Sequence, residues 1–111
     1  MSRSIPSIEA RIHQIQHELA SLGDFRVGTL SQQFNVCGKP HCKCKADPPE
    51  RHGPYYRLSF TRKGKGHTRS VRIADVETVK QQVNNYTRFK DLVQEWVDLA
   101  SELSNLRLKH D

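Results

Sequence analysis

The side chains best suited to chemistry in this sequence are three cysteines and one histidine. Cys37, Cys42 and Cys44 fall within eight residues, and His52 stands eight residues beyond the last. Three thiolates and one imidazole complete a tetrahedral shell for zinc, and a closed shell of this kind is structural, because a catalytic zinc keeps one position for water. Zinc suits the set because it is borderline-soft and accepts thiolate and imidazole together. Sulfurs converging at ~2.3 Å on one ion require a chain that folds back on itself. Gly38 and Pro40 supply the turn, the first free to take a left-handed φ and the second fixing its own. His52 is the first choice as fourth ligand, since the stiff stretch Asp47-Pro-Pro-Glu50 returns the chain and Gly53-Pro54 leads it onward. His41, next to Cys42, is the second choice and His67 the third. One structural zinc ion per chain is the expectation.

The same segment carries the charge. Residues 24–73 hold eleven Lys and Arg against three Asp and Glu, whereas the rest of the chain holds seven against nine. A positive field confined to one module points to a polyanionic partner, most commonly nucleic acid. Lys39, Lys43 and Lys45 interleave with the ligands, and Arg57, Arg62, Lys63, Lys65, Arg69 and Arg72 sit on or beside predicted strands. Such cations neutralise phosphates, with an affinity that falls with salt and is largely indifferent to base sequence. Tyr55 is expected to stack on an unpaired base, and Tyr56 to face the core. Catalysis is not expected. The basic segment has too few carboxylates for a two-metal nuclease, and the chain lacks a Gly-rich phosphate loop, a His-Glu-x-x-His and a zinc-deaminase signature. A redox role for Cys42-x-Cys44 would leave Cys37 and His52 unexplained.

The elements that must position these residues are legible as periodicities. Ile5, Ile8, Ile12, Ile15, Leu19 and Leu22 recur at alternating steps of three and four, the spacing of a helix with one apolar seam. Ser4 is the predicted N-cap and Gly23 the residue just past the end. Tyr55–Thr61 alternates Tyr56, Leu58 and Phe60 against Tyr55, Arg57 and Ser59, which predicts a strand. Residues 66–73 are the returning strand, joined through Arg62-Lys-Gly-Lys65 with Gly64 at positive φ, and residues 25–30 are a possible third strand. Asp75 is expected to cap a helix reaching about Leu108. Its apolar positions run Val76, Val79, Val83, Tyr86 and then Phe89, Leu92, Trp96, Leu99, Leu103, Leu106, with a three-residue step between the sets where the heptad wants four. The predicted fold is therefore a small zinc-stabilised α+β domain, a single structural unit. It comprises an N-terminal amphipathic helix (4–23), a zinc knuckle with a basic β-hairpin of two to three strands (24–74) and a long coiled-coil-like C-terminal helix (75–108). With 35% hydrophobic and 7% aromatic residues in 111, the core is thin, and a metal or oligomerisation would relieve the shortage. The shorter helix covers about half of the longer one, so a homodimer, or a larger protein partner, is expected through the helices.

No apolar run approaches the ~20 residues of a membrane span, and the start lacks the apolar stretch of a signal peptide. With an odd number of thiols, this favours a cytoplasmic protein with reduced cysteines and no membrane partner.

The run Gly28-Thr-Leu-Ser, Cys37-Gly-Lys-Pro-His-Cys-Lys-Cys44, His52-Gly-Pro-Tyr-Tyr56 and Leu58-Ser-Phe60, followed by Asn85-Tyr86 and Phe89, resembles an uncharacterised family of short prokaryotic zinc-finger-like proteins. These share a Cys-Gly-Lys-Pro-x-Cys-x-Cys signature with a downstream His-Gly-Pro-Tyr and are associated with transposons and other mobile elements. The resemblance spans roughly residues 26–106. It implies that Cys37, Cys42, Cys44 and His52 belong together and that His41 occupies a variable slot. The reading that follows is a non-enzymatic, zinc-stabilised nucleic-acid-binding accessory protein, for DNA or RNA, linked to a mobile element or its host system. The alternative is a coiled-coil interaction adaptor with a structural zinc and no direct contact with nucleic acid.

Overall fold

The isoleucine seam winds residues Ile5–Ser21 into helix α1. The computed structural model describes residues 4–35 and 52–108. The elements beyond α1 are strands β1 (Thr29–Asn35), β2 (His52–Arg62) and β3 (Lys65–Val71), a single 3-10 turn (Ile73–Asp75) and helix α2 (Val76–Arg107). The architecture is α+β: a helix, a three-stranded antiparallel sheet in the order β1-β2-β3, and a long helix. No helix among the described residues is long and apolar enough to cross a membrane. Contacts divide the chain into two compact units, Met1–Phe25 with Asn84–Asp111, and Arg26–Val83.

In the first unit, the Ser4 hydroxyl accepts from the Ser7 N–H at 3.3 Å and caps α1. The helix ends where expected, with Leu22 as C-cap and Gly23 just past it, but Leu22 leaves in an extended conformation and Gly23 is not left-handed. The exit is held instead by Asn85, whose side-chain Nδ2 donates to the Asp24 carbonyl at 2.9 Å. Ile8, Ile12 and Ile15 of α1 bury against Leu92, Leu99 and Leu103 of α2, with Ile5, Leu19, Leu22 and Trp96 packed around them. Ion pairs fix the direction, because positions advancing along α1 meet positions retreating along α2. Glu9 pairs with Arg107 at 2.6 Å, Arg11 forks onto Glu95 at 2.6 and 2.7 Å, and Glu18 receives Arg88, Nη2 to Oε1 being 2.8 Å. Phe25 stacks on Phe89, centroids 4.8 Å apart, and lies 6.0 Å from Tyr86. The three-residue step of the α2 seam falls between those two rings.

The Arg88 hydrogen bonds hold the Glu18 carboxyl below its usual range. A depressed carboxylate contributes stability that is fully present above the ordinary glutamate pKa of about 4.3 and is lost as pH falls through the folded-state value. Thermal melts followed by helicity should therefore drop as pH falls below the ordinary glutamate value, and Glu18→Gln should flatten that part of the profile. An identical acid profile in the variant would show that this pair does not carry the effect.

In the second unit, β2 is the central strand, and the register Leu30↔Leu58↔Arg69 sets its faces. One face carries Tyr56, Leu58 and Phe60, with Leu58 only 1% exposed, and Val76 and Val79 of the first turns of α2 are also buried. Gly28 is required here. Its φ is +149°, and a Cβ would stand 2.6 Å from the Leu58 Cδ1 and 3.1 Å from the Ser59 carbonyl. Arg26 is held by Gln82 through its backbone N–H at 3.0 Å and its Nε at 2.9 Å. β1 runs later than the sequence suggested, over 29–35 rather than 25–30. Arg62 pairs with Lys65 across a two-residue turn in which Lys63 (φ 52°) and Gly64 (φ 78°) are both left-handed, the mirror-image turn that matches strand twist. α2 starts at Val76, directly after Asp75 as expected, with a 3-10 turn before it and the Asp75 carboxylate accepting from the Arg72 Nε at 2.9 Å.

Candidate nucleic-acid interface

Alternation along a strand decides which cations can act together, because directly paired residues of neighbouring strands share a face. Arg57 pairs with Ser70 and Ser31, whereas Arg69 pairs with Leu58. Arg57 and Arg69 therefore lie on opposite faces. Arg69 borders a cleft with Arg26, Thr78, Val79 and Gln82 beside the first turns of α2. Arg62 and Lys65 close the hairpin with Lys63 in the turn. Tyr55 and Arg57 border a second cleft, which shares Ser70, Val71 and Arg72 with the first. The predicted nucleic-acid set thus divides into an outer-face group, a helix-side arginine and a cationic hairpin tip.

The electrostatics favour an anion at all three places. Residues 52–74 contain six Lys and Arg and no Asp or Glu. Among the described residues, Arg72 pairs with Asp75, while Arg57, Arg62, Lys63, Lys65 and Arg69 make no ion pair. Tyr55 is 46% exposed, and Tyr56 is turned to the Leu58 side. His67, the third candidate ligand, stacks on the ring of Phe60 with centroids 5.3 Å apart.

Sequence reasoning missed the hydroxyls. Ser31, Ser59, Thr68 and Ser70 share the outer face around Arg57, and the Ser31 Oγ donates to the Arg57 carbonyl at 3.3 Å. The signal was there, as Thr or Ser recurs at every second position in Thr29-Leu-Ser31 and Thr68-Arg-Ser70.

Cys37, Cys42 and Cys44, with Lys39, Lys43, Lys45 and the alternative ligand His41, lie outside the described residues. Among the described residues, no group of three or more His, Cys, Asp or Glu is placed to hold a metal ion. His52 opens β2, and its backbone pairs with Asn35 at the end of β1 after a bulge at Gln33–Asn35.

Fold and site together define a helix–sheet–helix protein whose sheet bears a cationic hairpin with no ion pair among the described residues. The chain belongs to the family described as "domain of unknown function (DUF6788)", matched over residues 5–81. The match takes in α1, which lay outside the stretch carrying the motif resemblance, and is consistent with an uncharacterised family. Comparison with curated proteins and with solved structures gave no match.

Proposed function

We propose that this protein is a zinc-stabilised, non-enzymatic nucleic-acid-binding accessory module, serving a mobile genetic element or its host system from the cytoplasm. The observation that carries the reading is the run of six cations and no carboxylate over residues 52–74, five of them free of ion pairs among the described residues. Clustered charge of one sign raises the energy of the folded state by self-repulsion, and a polyanion relieves it. Zinc enters through the donor set. The backbones of Asn35 and His52 pair, and in sequence these two residues flank the stretch that holds Cys37, Cys42 and Cys44. Cys37, Cys42, Cys44 and His52 would hold the ion, which supplies no chemistry beyond fixing the chain.

Gel shifts on arbitrary DNA and RNA across a salt series test the binding. If four or five cations meet phosphates, log affinity falls against log salt with a slope of roughly −4. Arg57→Ala and Arg69→Ala should each reduce that slope by about one unit without unfolding the protein. No shift at low salt would overturn the reading.

A second reading, an adaptor or homodimer formed through the helices, draws on Val97, Leu106 and Leu108, which stay exposed on and just beyond α2. Sedimentation of the wild type beside a Val97→Glu variant reports on it. A dimer broken by that change, with no gel shift at any salt, would favour the adaptor.

A further inference from the structure

The outer face of the sheet differs from the cationic hairpin tip in one respect that bears on which nucleic acid it takes. A cleft of about 390 Å³ opens along the β2–β3 pair beside this face, bordered by Tyr55, Arg57, Ser70, Arg72 and Ile73 and also by Tyr56 and Val71 of the other face. Tyr55 is 46% exposed and Ile73 71% exposed. Exposed apolar surface beside guanidinium groups is costly for a site that binds only phosphates, which have no use for a ring. It suits a ligand with both a flat apolar plate and an anion, and a nucleotide has both.

Register places the charges around the ring. Arg57 follows Tyr55 by two residues on β2 and so lies about 6.6 Å along the same face. Val71 pairs with Tyr56, so Arg72 comes opposite Tyr55 one step beyond the ladder. The Arg72 Nε is engaged by Asp75 at 2.9 Å, which leaves its remaining N–H groups to donate. Arg57 has no carboxylate partner among the described residues, and Ser70 stands directly opposite it.

We infer that this cleft is a subsite for an unstacked base of single-stranded nucleic acid, with the base lying on the Tyr55 ring and the flanking phosphates held by Arg57 and Arg72. The inference rests on the nucleic-acid reading above and sharpens it from any polyanion to single strands. Bases inside a duplex are stacked on their neighbours and present only their edges in the grooves. A ring face therefore gains contact only where bases are free to splay. Stacking is tolerant of base identity because every base offers a π-face, so the subsite selects strandedness and not sequence.

Fluorescence anisotropy with the zinc-loaded full chain tests this, using labelled fifteen-nucleotide oligo(dT), oligo(rU) and a fifteen-base-pair duplex at one salt concentration. The wild type is expected to bind at least one single strand more tightly than the duplex. Tyr55→Ala should weaken single-strand binding roughly 10- to 100-fold and change duplex binding by less than about twofold, with the salt slope intact. Tyr55→Phe, which keeps the ring, should stay near wild type, and far-ultraviolet circular dichroism should show both variants folded. Equal losses on single strand and duplex, no loss on either, or a Phe variant as weak as Ala would overturn the subsite while leaving nucleic-acid binding standing. A wild type that binds none of the three probes would overturn both.

Discussion

Removing zinc is expected to unfold the sheet unit. A chelator should release one zinc ion per chain, read by native mass spectrometry, and abolish amide hydrogen-exchange protection along β1 and β2. The magnitude follows from how little else the unit has. Leu58, Val76 and Val79 are its buried hydrophobic residues among those described, and each contributes about 1.5–3 kcal/mol. Fixing the backbone costs about 1–2 kcal/mol for every residue, and the three strands alone comprise 7, 11 and 7 residues. Their hydrogen bonds contribute only about 1 kcal/mol each in net terms. Structural zinc contributes about 10–16 kcal/mol in small finger peptides near neutral pH, more than those three buried side chains together. Cys44→Ser should reproduce the loss. His52→Ala should lower zinc affinity strongly and His41→Ala should not, which separates the two candidates for the fourth ligand. Protection at Leu30 and Leu58 that survives chelation would show that the sheet stands without metal.

Much of the scaffold was legible in the sequence because a single periodicity dominates each element. The three/four steps of Ile8, Ile12 and Ile15 fixed the buried side of α1, and the alternation of Tyr56, Leu58 and Phe60 fixed the inner face of β2. β1 was misplaced because its own residues carry no apolar alternation: Thr-Leu-Ser-Gln-Gln-Phe-Asn is a strand by pairing with β2, not by propensity. Phe25 and Val27 mimicked an earlier strand, yet Phe25 is engaged by the rings of Tyr86 and Phe89. The cations were legible as a composition, but their partition between faces depends on register, which the sequence leaves open until both hairpin ends are known. The tight turn was half visible: Gly64 announces a positive φ, whereas Lys63, also left-handed, has a side chain that normally avoids it.

Leu92→Ala should cost the helical unit about 2–5 kcal/mol, the range for deleting a large apolar side chain from a packed core. Leu92 is completely buried at the centre of the cluster formed by Ile8, Ile12, Ile15, Leu99 and Leu103. α1 has 17 residues and no second layer of its own, so little can collapse into the space left behind. At about 4–8 °C per kcal/mol for a small domain, the helical melt followed by circular dichroism should fall by roughly 10–30 °C. The ion pairs make a sharp comparison. Glu9, Glu18 and Glu95 all engage arginines across the same helix pair, yet those side chains remain partly exposed to water, which screens such pairs and leaves them a small contribution. Glu9→Gln should therefore shift the melt by only a few degrees at neutral pH. The ordering decides what holds the helices: a larger loss from Glu9→Gln than from Leu92→Ala would mean that charge, and not the isoleucine–leucine seam, sustains the pair.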